Sequence, residues 1–462
     1  MRRRYGLLVK TIAIALPVSA VAACQAGSET GNPMVTACTP DAPPAPPPPS
    51  SGPTGGFDKI KHFVVIYMEN RSFDNLYGEF PGAEGLANVK DAQGNFKWKQ
   101  VDPTGVVYPV LPQPLDTSVT PPAPATAFPA NLPNEPFAID KYVTVSDAKG
   151  MAMGFYHTAE LPMFAEAGNY TLCDHFFHAA FGGSFLNHMW LIAARHPVFE
   201  KAPTSVLAQL DAKGNVAIDG FVTPNGCYVV NTAFTVNAPH PSTTKKEQLV
   251  PNQTFATIGD RLSDKGLDWA WYSGGWNAVL SGDADASTKD AFQYHHQPFA
   301  YFAKYADGTD AKKQHLKDET DFLDAAKSGT LPAVSFVKPV GVDNEHPGYA
   351  KVAQGEAHLV SLIDAVRNGP NWADTAIIVT YDENGGQWDH VPPPTTDKNG
   401  PGTRVPAIVI SPFAKKHFID STVYDTTSIL ATIEHRWGLD PLSSRDAKAP
   451  DMANAFDFTA AP

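Results

Sequence analysis

Short apolar runs rich in Val and Ile alternate with helix-length segments along most of the chain, and this pattern limits the folds open to it. The runs are HFVVIYM, AVSFVKP, TAIIVTYD and PAIVISP, and the helix-length segments include VAQGEAHLVSLIDAVRN and TSILATIEHRWG. Runs that are apolar at nearly every position indicate strands buried on both faces, as in parallel sheets that helices cover. The sequence therefore predicts an α/β fold with a mostly parallel central sheet.

Two of the predicted strands end directly in polar and acidic residues. HFVVIYM continues into Glu69 and Asn70, and TAIIVTY continues into Asp382 and Glu383. Ligands of parallel sheets bind at the carboxyl ends of the strands, so we expect these four side chains to meet at one edge. Three carboxylates that meet raise one another's pKa unless a divalent cation with oxygen ligands neutralises them. In the alternative interpretation, either acidic pair caps a helix N-terminus.

The stretch DHFFHAAFGGSFLNHMW supplies a candidate nucleophile. Ser184 follows two glycines and is predicted to open a helix, where backbone N–H groups and the helix dipole favour an anion such as phosphate. Asn187 lies three residues further, on the same helical face, and is a candidate donor to a phosphoryl oxygen. Taken alone, Gly-Gly-Ser is more often a helix N-cap, and the GxSxG pattern is absent because Leu186 stands two residues after the serine.

Histidines are the remaining candidates, because phosphoryl transfer needs positive charge and an acid for the leaving group. His295 and His296 lie in AFQYHHQPF, and His346 lies in GVDNEHPGYA after the predicted strand AVSFVKP. A loop after a strand faces the same edge as the acidic residues, which favours His346. Isolated histidines in loops are usually exposed and without a role. Three others rank below these candidates: His157, His188 and His390.

The first 23 residues have the form of a secretory signal peptide. The stretch MRRRYGLLVKTIAIALPVSAVAAC has a basic start, an apolar run and small residues before Cys24. VAAC looks like a bacterial lipobox, so a lipidated Cys24 would tether the protein to a membrane; an ordinary signal-peptidase site is the alternative. RRRYGLL is a poor match to a twin-arginine signal. We therefore predict an exported protein, either a periplasmic or outer-membrane lipoprotein or a secreted one.

Amino-acid composition divides the rest of the chain into a tether and one folded domain. Residues 24–57 are rich in Pro, Ser and Gly and predict a tether, which leaves residues 58–462 as one folded domain. The proline-rich segment 101–136 lies within that domain and predicts a long surface excursion. A formal charge of −13, with no long basic run after residue 4, argues against a nucleic-acid partner.

Three cysteines remain once Cys24 is set aside, so the chain allows at most one internal disulfide among them. Pairing of Cys173 with Cys227 is favoured over pairings that include Cys38, because both lie inside the predicted domain. Free thiols remain an alternative.

Four longer motifs carry a resemblance to a known family. MENRSFDNLYG, LCDHFFHAAFGGSFLNH, YDENGGQWDHVPPP and GTRVPAIVISPFAKK resemble the bacterial phosphoesterase family that joins phosphatidylcholine-type phospholipases C with a branch of secreted acid phosphatases. The resemblance extends from Lys59 to about Trp437 and implies an alkaline-phosphatase-like, three-layer α/β/α sandwich. It also implies a hydroxyl nucleophile at Ser184 and one divalent metal ion of open identity. The ligands it implies for that ion are Glu69, Asn70, Asp382 and Glu383.

Details of the motifs favour the acid-phosphatase branch. Phospholipases C of this family usually place threonine in a GPT setting at the nucleophile, whereas this chain has GGSFLNH. The paired histidines and the histidine of EHPGYA also resemble the phosphatase branch. Glu383 departs from that branch, which can have Asp there, so the preferred metal stays open. The resemblance thus implies a metal-dependent phosphomonoesterase that works through a phosphoserine intermediate, best at mildly acid pH.

The same resemblance implies roles for the other polar residues. Asn187, His295 and His296 would stabilise the phosphoryl oxygens, and His346 would protonate the departing alcohol. A phospholipase C or other phosphodiesterase is an alternative, because substrate choice depends on loops that family likeness does not set. A non-catalytic lipoprotein that binds a phosphorylated ligand is the third interpretation, and it would tolerate loss of Ser184. The oligomeric state is left open.

Overall fold

The computed structural model describes residues 54–99, 107, 115–116, 123–124, 152–283, 289–347 and 350–459. The predicted signal peptide, Cys24, Cys38, most of the predicted tether and most of the predicted excursion at 101–136 lie outside these residues. All of the described residues belong to one unit, residues 37–462. Within the described ranges, no helix has the length and apolar character needed to cross a membrane.

Eight strands form the central sheet. In chain order they are β1 (His62–Met68), β2 (Thr171–Cys173), β3 (Trp269–Ser273), β4 (Leu316–Asp318), β5 (Val334–Lys338), β6 (Thr375–Tyr381), β7 (Ala407–Ile410) and β8 (Phe418–Asp420). Their order across the sheet is β8-β2-β7-β6-β1-β5-β3-β4. All neighbours are parallel except that β7 runs antiparallel to both β6 and β2. The predicted mostly parallel sheet is confirmed.

Helices and short strands connect these sheet strands. The α-helices are α1 (Phe73–Tyr77), α2 (Pro162–Asn169), α3 (Ser184–Ala193), α4 (Ile258–Asp264), α5 (Trp276–Leu280), α6 (Asp310–His315), α7 (Glu319–Ser328), α8 (Val352–Arg367) and α9 (Thr426–Trp437). The 3-10 helices are Thr54–Lys59, Leu86–Val89, Thr204–Val206, Lys246–Gln248, Tyr294–His296, Pro298–Tyr301, Ala303–Tyr305, Gly341–Asp343, Trp372–Asp374, Asp446–Lys448 and Met452–Ala455. Further strand pairs are Leu115–Asp116 with Ala123–Pro124, Phe176–Phe177 with Tyr424–Asp425, and Gln209–Leu210 with Val216–Ile218.

Two groups of helices cover the sheet, one on each face. Alternate side chains of a strand point to opposite faces, so neighbours along β1 contact different helices. Tyr67 of β1 donates to the Asn187 carbonyl of α3 at 3.4 Å, and α3 packs with α4 and α9. Met68, the next residue of β1, pairs with Tyr381 of β6, whose hydroxyl lies near the charge of Glu356 in α8. Helix α8 packs with α2 and α7. The expected three-layer α/β/α sandwich is therefore confirmed, with the core on both faces of the sheet.

The strands predicted from Val- and Ile-rich runs are all present as β1, β5, β6 and β7, and the two predicted helices are present as α8 and α9. Four sheet strands were not predicted: β2, β3, β4 and β8. Three of these have only three residues, too few for a periodic pattern, and β3 has the aromatic sequence WAWYS. The predicted core of the sheet was thus correct, whereas both edges were missed.

Part of the segment predicted as a tether is folded. Thr54–Lys59 forms a 3-10 helix, and Phe57 within it is fully buried. Its ring lies 6.3 Å from that of Phe63 in β1 and 5.6 Å from that of Phe456, between centroids. The domain therefore includes residues shortly before the predicted boundary at residue 58.

The favoured pairing of Cys173 with Cys227 is wrong. Cys173 lies in β2, where it is fully buried and carries a free thiol. Burial, together with the nearby charges of Asp420 and Asp174, raises the pKa of this thiol well above its ordinary value. Cys227 is disulfide-bonded, and it lies outside the sheet, where its carbonyl accepts from the Phe199 N–H at 2.9 Å. Position inside one domain was therefore not sufficient evidence for pairing.

Candidate active site

The carboxyl edge of the sheet brings the four predicted strand-end residues together. β1 continues into Glu69 and Asn70, and its neighbour β6 continues into Asp382 and Glu383. Asn70 has a φ of 60°, in the left-handed region that asparagine tolerates better than most residues. Its backbone N–H donates to Asp382 Oδ1 at 3.0 Å, and the N–H of Glu383 donates to the same oxygen at 2.8 Å. The ends of the two strands are thereby fixed against each other.

Ser184 is the first residue of α3, as predicted, and its hydroxyl faces the strand-end residues. Its Oγ lies 3.2 Å from Glu69 Oε2, 3.2 Å from Asn70 Oδ1 and 3.5 Å from Glu383 Oε1. The residue is half-buried, at the helix terminus where the first N–H groups lack partners within the helix. The site therefore combines a hydroxyl, acidic oxygens and an anion-attracting helix end.

The three carboxyl groups differ in charge state because their surroundings differ. Burial, then the charge of Glu69, raises the pKa of Asp382 well above its ordinary value, and burial raises the pKa of Glu383 to about 7. Burial alone would also raise the pKa of Glu69, but the charges of Lys338 and His296 hold it well below its ordinary value. The site thus has one stable carboxylate and two carboxyl groups that burial keeps from ionising readily.

Lys338 is a site residue that the sequence analysis missed. It is the last residue of β5 and is fully buried. Its Nζ forms an ion pair with Glu69 Oε1 and donates to the Met68 carbonyl at 3.3 Å. The signal was present in the sequence, because the apolar run AVSFV is followed by a charged residue, Lys338, just as the other two runs are followed by Glu69 and Asp382. Only strands that end in acidic residues were considered as parts of the site from the sequence.

Histidines form a buried group beside Glu69. His296 Nε2 lies 2.8 Å from Glu69 Oε1, and its ring stacks on His188 with centroids 5.0 Å apart. His188 Nδ1 lies 2.7 Å from the Ser184 carbonyl. The ring of His295 is 4.5 Å from that of His296, and within the described part of the chain its Nδ1 has no hydrogen-bond partner. Burial lowers the pKa of His296 to about 4 and those of His188 and His295 well below their ordinary value.

His346 lies next to the acidic residues, as predicted. Its Nε2 is 3.0 Å from the side-chain nitrogen of Asn70, while Asn70 Oδ1 faces Glu69 Oε2 at 2.7 Å and Asp382 Oδ1 at 3.0 Å. Burial lowers the pKa of His346, so a neutral ring can accept from the Asn70 amide. An amide oxygen among carboxylate oxygens is unfavourable on its own, and a rotated amide would donate to them instead. A cation among these oxygens would make the present orientation the favourable one.

These observations test whether the predicted metal fits. Asp382 Oδ2 is buried and has no hydrogen-bond partner among the described residues, and the oxygens around Ser184 are those that hard divalent cations prefer. Glu69, His188 and His296 also group closely enough to hold an ion. However, Glu69 Oε1 on that side already pairs with Lys338, whose charge would oppose a second cation. The oxygen set beside Ser184 therefore fits a divalent ion better.

Asn187 supports the loop that carries Ser184. Its side-chain nitrogen donates to the carbonyls of Gly182 at 2.8 Å and of Ala180 and Gly183 at 3.2 Å, and its Oδ1 accepts from the Ala180 N–H at 3.0 Å. The amide is fully buried. Helical periodicity alone placed Asn187 on the face of Ser184, but it could not show that the loop folds back over the amide and takes up its donors.

Gly385 lies against Asn70 and allows a prediction. It has a φ of 62°, and a Cβ there would lie 2.8 Å from the Asn70 carbonyl oxygen. Its N–H donates to Glu383 Oε2 at 2.5 Å. We expect Gly385→Ala to displace Asn70 and Glu383 and to lower kcat/KM for a phosphate ester at least about tenfold, because sub-ångström shifts at a reacting centre slow catalysis.

The matched control is Gly94→Ala. Gly94 has a φ of 83°, and no heavy atom of the described residues lies within 4 Å of the position that a Cβ would take there. Both variants carry the backbone cost of alanine at positive φ, about 1 kcal/mol in the free energy of unfolding. Urea unfolding and steady-state kinetics of the two proteins would be compared. Equal kcat/KM values in both variants would contradict the expectation.

A second group of acidic residues and histidine lies between α1 and the loop after β6. Asp74, Asp389 and His390 are close enough to hold an ion. However, Arg404 Nε lies 3.0 Å from Asp389 Oδ1 and its Nη2 lies 3.1 Å from Asp74 Oδ1. The guanidinium therefore already occupies the place of a cation, and we interpret this group as a structural ion-pair network. His157, the remaining candidate, is exposed and pairs with Glu79 at 2.7 Å.

This network predicts a pH dependence of stability. Burial would lower the pKa of His390, but bonds to Asp74 and Glu84, at 2.7 and 3.1 Å, raise it above 6.5. A group with a raised pKa in the folded state stabilises the fold below its unfolded pKa and loses this effect as pH rises through the folded pKa. We expect the free energy of unfolding of wild type minus His390→Gln to be largest below pH 6.5 and to shrink above it.

Urea unfolding at several pH values from mildly acid to mildly alkaline would measure this difference. His157→Gln is the control, because His157 is 43% exposed and its pair with Glu79 is screened by solvent. A difference for His390→Gln that grows with pH would contradict the assigned charge state.

Comparisons with known proteins identify the family of the chain. A sequence profile described as the phosphoesterase family matches residues 60–440. Phospholipase C A of Mycobacterium tuberculosis is 25% identical, over 91% of this chain and 82% of its own length. Non-hemolytic phospholipase C of Pseudomonas aeruginosa is 27% identical, over 87% of this chain and 58% of its own. Among solved structures, a Vibrio parahaemolyticus protein in the alkaline phosphatase superfamily aligns with 12% identity and a TM-score of 0.34, over 63% of this chain and 65% of that one.

Proposed function

This chain belongs to the phosphoesterase family, as its motifs predicted, and from this premise we propose that it hydrolyses phosphomonoesters with Ser184 as the nucleophile. The observation that carries the proposal is the Ser184 hydroxyl within 3.2–3.5 Å of acidic and amide oxygens at a helix N-terminus. One divalent ion of open identity, when bound, would favour the ionised hydroxyl and offset phosphoryl charge. The residues that would hold it are Glu69, Asn70, Asp382 and Glu383.

In the proposed reaction, Ser184 loses its hydroxyl proton to solvent and its ionised Oγ attacks phosphorus, so that a bond from Oγ to phosphorus forms and the ester P–O bond to the alcohol breaks. The departing alkoxide takes a proton from His346, which lies beside Asn70 and thus beside the nucleophile. Water then attacks the phosphorus of the phosphoserine and gives one proton back to His346 while the bond from Oγ to phosphorus breaks, so that hydrogen phosphate leaves and the ionised Ser184 is restored. A bound phosphate dianion would raise the pKa of His346 and so favour the protonated imidazole that this step needs.

The other polar residues divide into two roles in this proposal. His295 and His296 would donate to phosphoryl oxygens, since both rings are buried at the site and a bound anion would favour their protonated forms. Asn187 would be a positioning residue, because its amide is bonded to the loop before Ser184. This assignment replaces the expected contact between Asn187 and a phosphoryl oxygen.

Charge supports a monoester as substrate. A phosphomonoester carries up to two negative charges and three non-bridging oxygens, and Lys338 with the buried histidines provides several cationic or donor groups around one point. A phosphodiester carries one negative charge and needs fewer cationic or donor groups around its phosphorus.

A phospholipase C activity is the second candidate, because the similar proteins from Mycobacterium tuberculosis and Pseudomonas aeruginosa carry that name. We propose in addition that the protein is exported, as the sequence of residues 1–23 predicts.

The test is hydrolysis of p-nitrophenyl phosphate and p-nitrophenyl phosphorylcholine by the same preparation, from acid to alkaline pH, with and without a chelator. We expect chelator-sensitive cleavage that favours the monoester and is faster at mildly acid than at alkaline pH, because a bound phosphate dianion raises the pKa of the site histidines and their protonated forms are lost as the pH rises. Preference for the phosphorylcholine ester would favour the phospholipase C alternative. Binding of phosphate without turnover of either ester, with any divalent metal added, would favour the non-catalytic alternative.

A further inference from the structure

His178 is a buried histidine near the nucleophile that the proposed reaction does not use. It precedes Ser184 in the same loop and is 2% exposed. Its Nδ1 lies 2.8 Å from the Ala180 carbonyl oxygen. A carbonyl oxygen can only accept, so Nδ1 carries the ring proton and Nε2 does not. Burial lowers the pKa of His178 to about 4, so the ring stays neutral and keeps this bond at mildly acid pH and above.

The bond from His178 fixes the loop before the nucleophile, residues 179–183, which we call the nucleophile loop. The Ala180 carbonyl also accepts from Asn187 Nδ2 at 3.2 Å, and the Ala180 N–H donates to Asn187 Oδ1 at 3.0 Å. Asn187 belongs to α3, the helix that Ser184 opens. Ala180 is therefore held from two sides, by the imidazole of His178 and by the amide of Asn187.

The His178 ring also packs directly against a glycine of the loop between β6 and β7. A Cβ on Gly402 would overlap Cε1 and Nε2 of the ring. The Gly402 N–H donates to the His178 carbonyl at 2.7 Å, and the His178 N–H donates to the Thr403 carbonyl at 3.2 Å. Both the backbone and the ring of His178 are thus fixed against this second loop.

The same second loop begins beside the acidic residues of the site. The side chain of Asn384, the residue after Glu383, lies close enough to the His178 ring to affect its pKa. Asn384 Nδ2 donates to the Gln387 carbonyl at 2.7 Å, and Gln387 Nε2 donates to the Asn70 carbonyl at 3.1 Å. The His178 ring therefore lies between the nucleophile loop and the chain segment that fixes Glu383 and Asn70.

We propose that His178 is a positioning residue, which holds the nucleophile loop against the segment of Glu383 and so sets the Ser184 hydroxyl for attack on phosphorus. His178 forms no hydrogen bond with Ser184 Oγ in the described structure, and it acts through Ala180 and Asn384. A displacement of about 1 Å at a reacting centre can slow a reaction about a hundredfold. This inference rests on the proposed phosphomonoesterase function and adds a residue that the reaction scheme does not contain.

The test is single-turnover release of p-nitrophenol from p-nitrophenyl phosphate, with the protein in saturating excess over substrate. It compares wild type with His178→Leu, which fills similar space but cannot donate, and with His178→Asn, whose side-chain nitrogen can replace Nδ1. We expect the rate constant to fall at least about tenfold in His178→Leu and to stay within about threefold of wild type in His178→Asn. A purely structural role would lower the folded fraction, which saturating protein hides, and would leave this rate constant unchanged.

His315→Leu is the matched control. His315 is also buried, at 6% exposed, and its Nδ1 lies 2.8 Å from the Trp269 carbonyl. Trp269 is the first residue of β3, so this bond lies at the opposite edge of the parallel sheet from the site. The rate constant of His315→Leu should equal that of wild type. An unchanged rate constant in His178→Leu, or an equal loss in His178→Asn or His315→Leu, would overturn the inference.

Gly402→Ala takes the place of His178→Leu in this comparison if the leucine variant does not fold. It keeps the histidine but displaces its ring, because the added Cβ overlaps it. We expect a loss of at least about tenfold in the rate constant, and an unchanged value would overturn the inference. No release of p-nitrophenol by wild type with any divalent metal would overturn the proposed function instead, so the two failures are distinguishable.

Discussion

Ser184→Ala is expected to lower kcat/KM for p-nitrophenyl phosphate at least about a thousandfold, because the variant cannot form the phosphoserine. The fold should persist. Ser184 is half-buried at the start of α3, and its Oγ contacts only Glu69, Asn70 and Glu383 in the described structure. Binding of inorganic phosphate should remain within a few-fold of wild type, since the helix N-terminus and the histidines are unchanged.

Steady-state kinetics, calorimetric binding of phosphate and thermal unfolding would be measured on the same preparations. Ser361→Ala is the control, because Ser361 lies on the exposed side of α8 and donates only to the His358 carbonyl among described residues. Rapid quench with labelled substrate should trap phosphate on the wild-type protein and none on Ser184→Ala. Normal turnover by Ser184→Ala would assign the nucleophile to another group.

Asp382→Asn is expected to separate activity from stability. Without a metal, burial and Glu69 oppose ionisation of Asp382, so its charge costs folding free energy at neutral pH. Asparagine keeps the oxygen that accepts from Asn70 and Glu383 but has no charge. We expect the metal-free variant to be more stable than wild type, on the order of 1 kcal/mol, while kcat/KM falls at least about a hundredfold.

Thermal unfolding with and without divalent metal would test both parts. Wild type should gain stability on addition of metal, because a ligand that binds only the folded state stabilises it, and Asp382→Asn should gain much less. The control is Asp310→Asn, since the Asp310 side chain is fully exposed at the start of α6. A metal-free Asp382→Asn protein that is less stable than wild type would show that the carboxylate is not under repulsion.

The site could be predicted from sequence wherever its chemistry follows a buried strand. Glu69 and Asp382 stand directly after uninterrupted apolar runs, so their position at the sheet edge follows from the sequence and from the direction of parallel strands. Lys338 also stands at the end of a buried apolar strand, so its position at the sheet edge could have been predicted in the same way. Strand length was the limit at the sheet edges, because three-residue strands such as β2 and β8 have no detectable period.

The remaining errors concern contacts between distant parts of the chain. Asn187 lies on the predicted helical face, but its hydrogen bonds depend on how residues 180–183 fold over it. The free thiol of Cys173 depends on the insertion of β2 between β7 and β8, which joins segments more than 200 residues apart. Local sequence patterns carry no information about either arrangement.

The reversed direction of β7 has an evolutionary consequence. Because β6 and β7 are antiparallel, the connection between them leaves the sheet at the active edge and returns to the same edge. Residues 383–406 therefore form a module that can lengthen, shorten or change composition without crossing the sheet or altering its strand order. This module carries Glu383 of the reaction centre. New substrate preferences can thus arise by variation within one insertion-tolerant segment, while the chemical step and the scaffold are inherited unchanged.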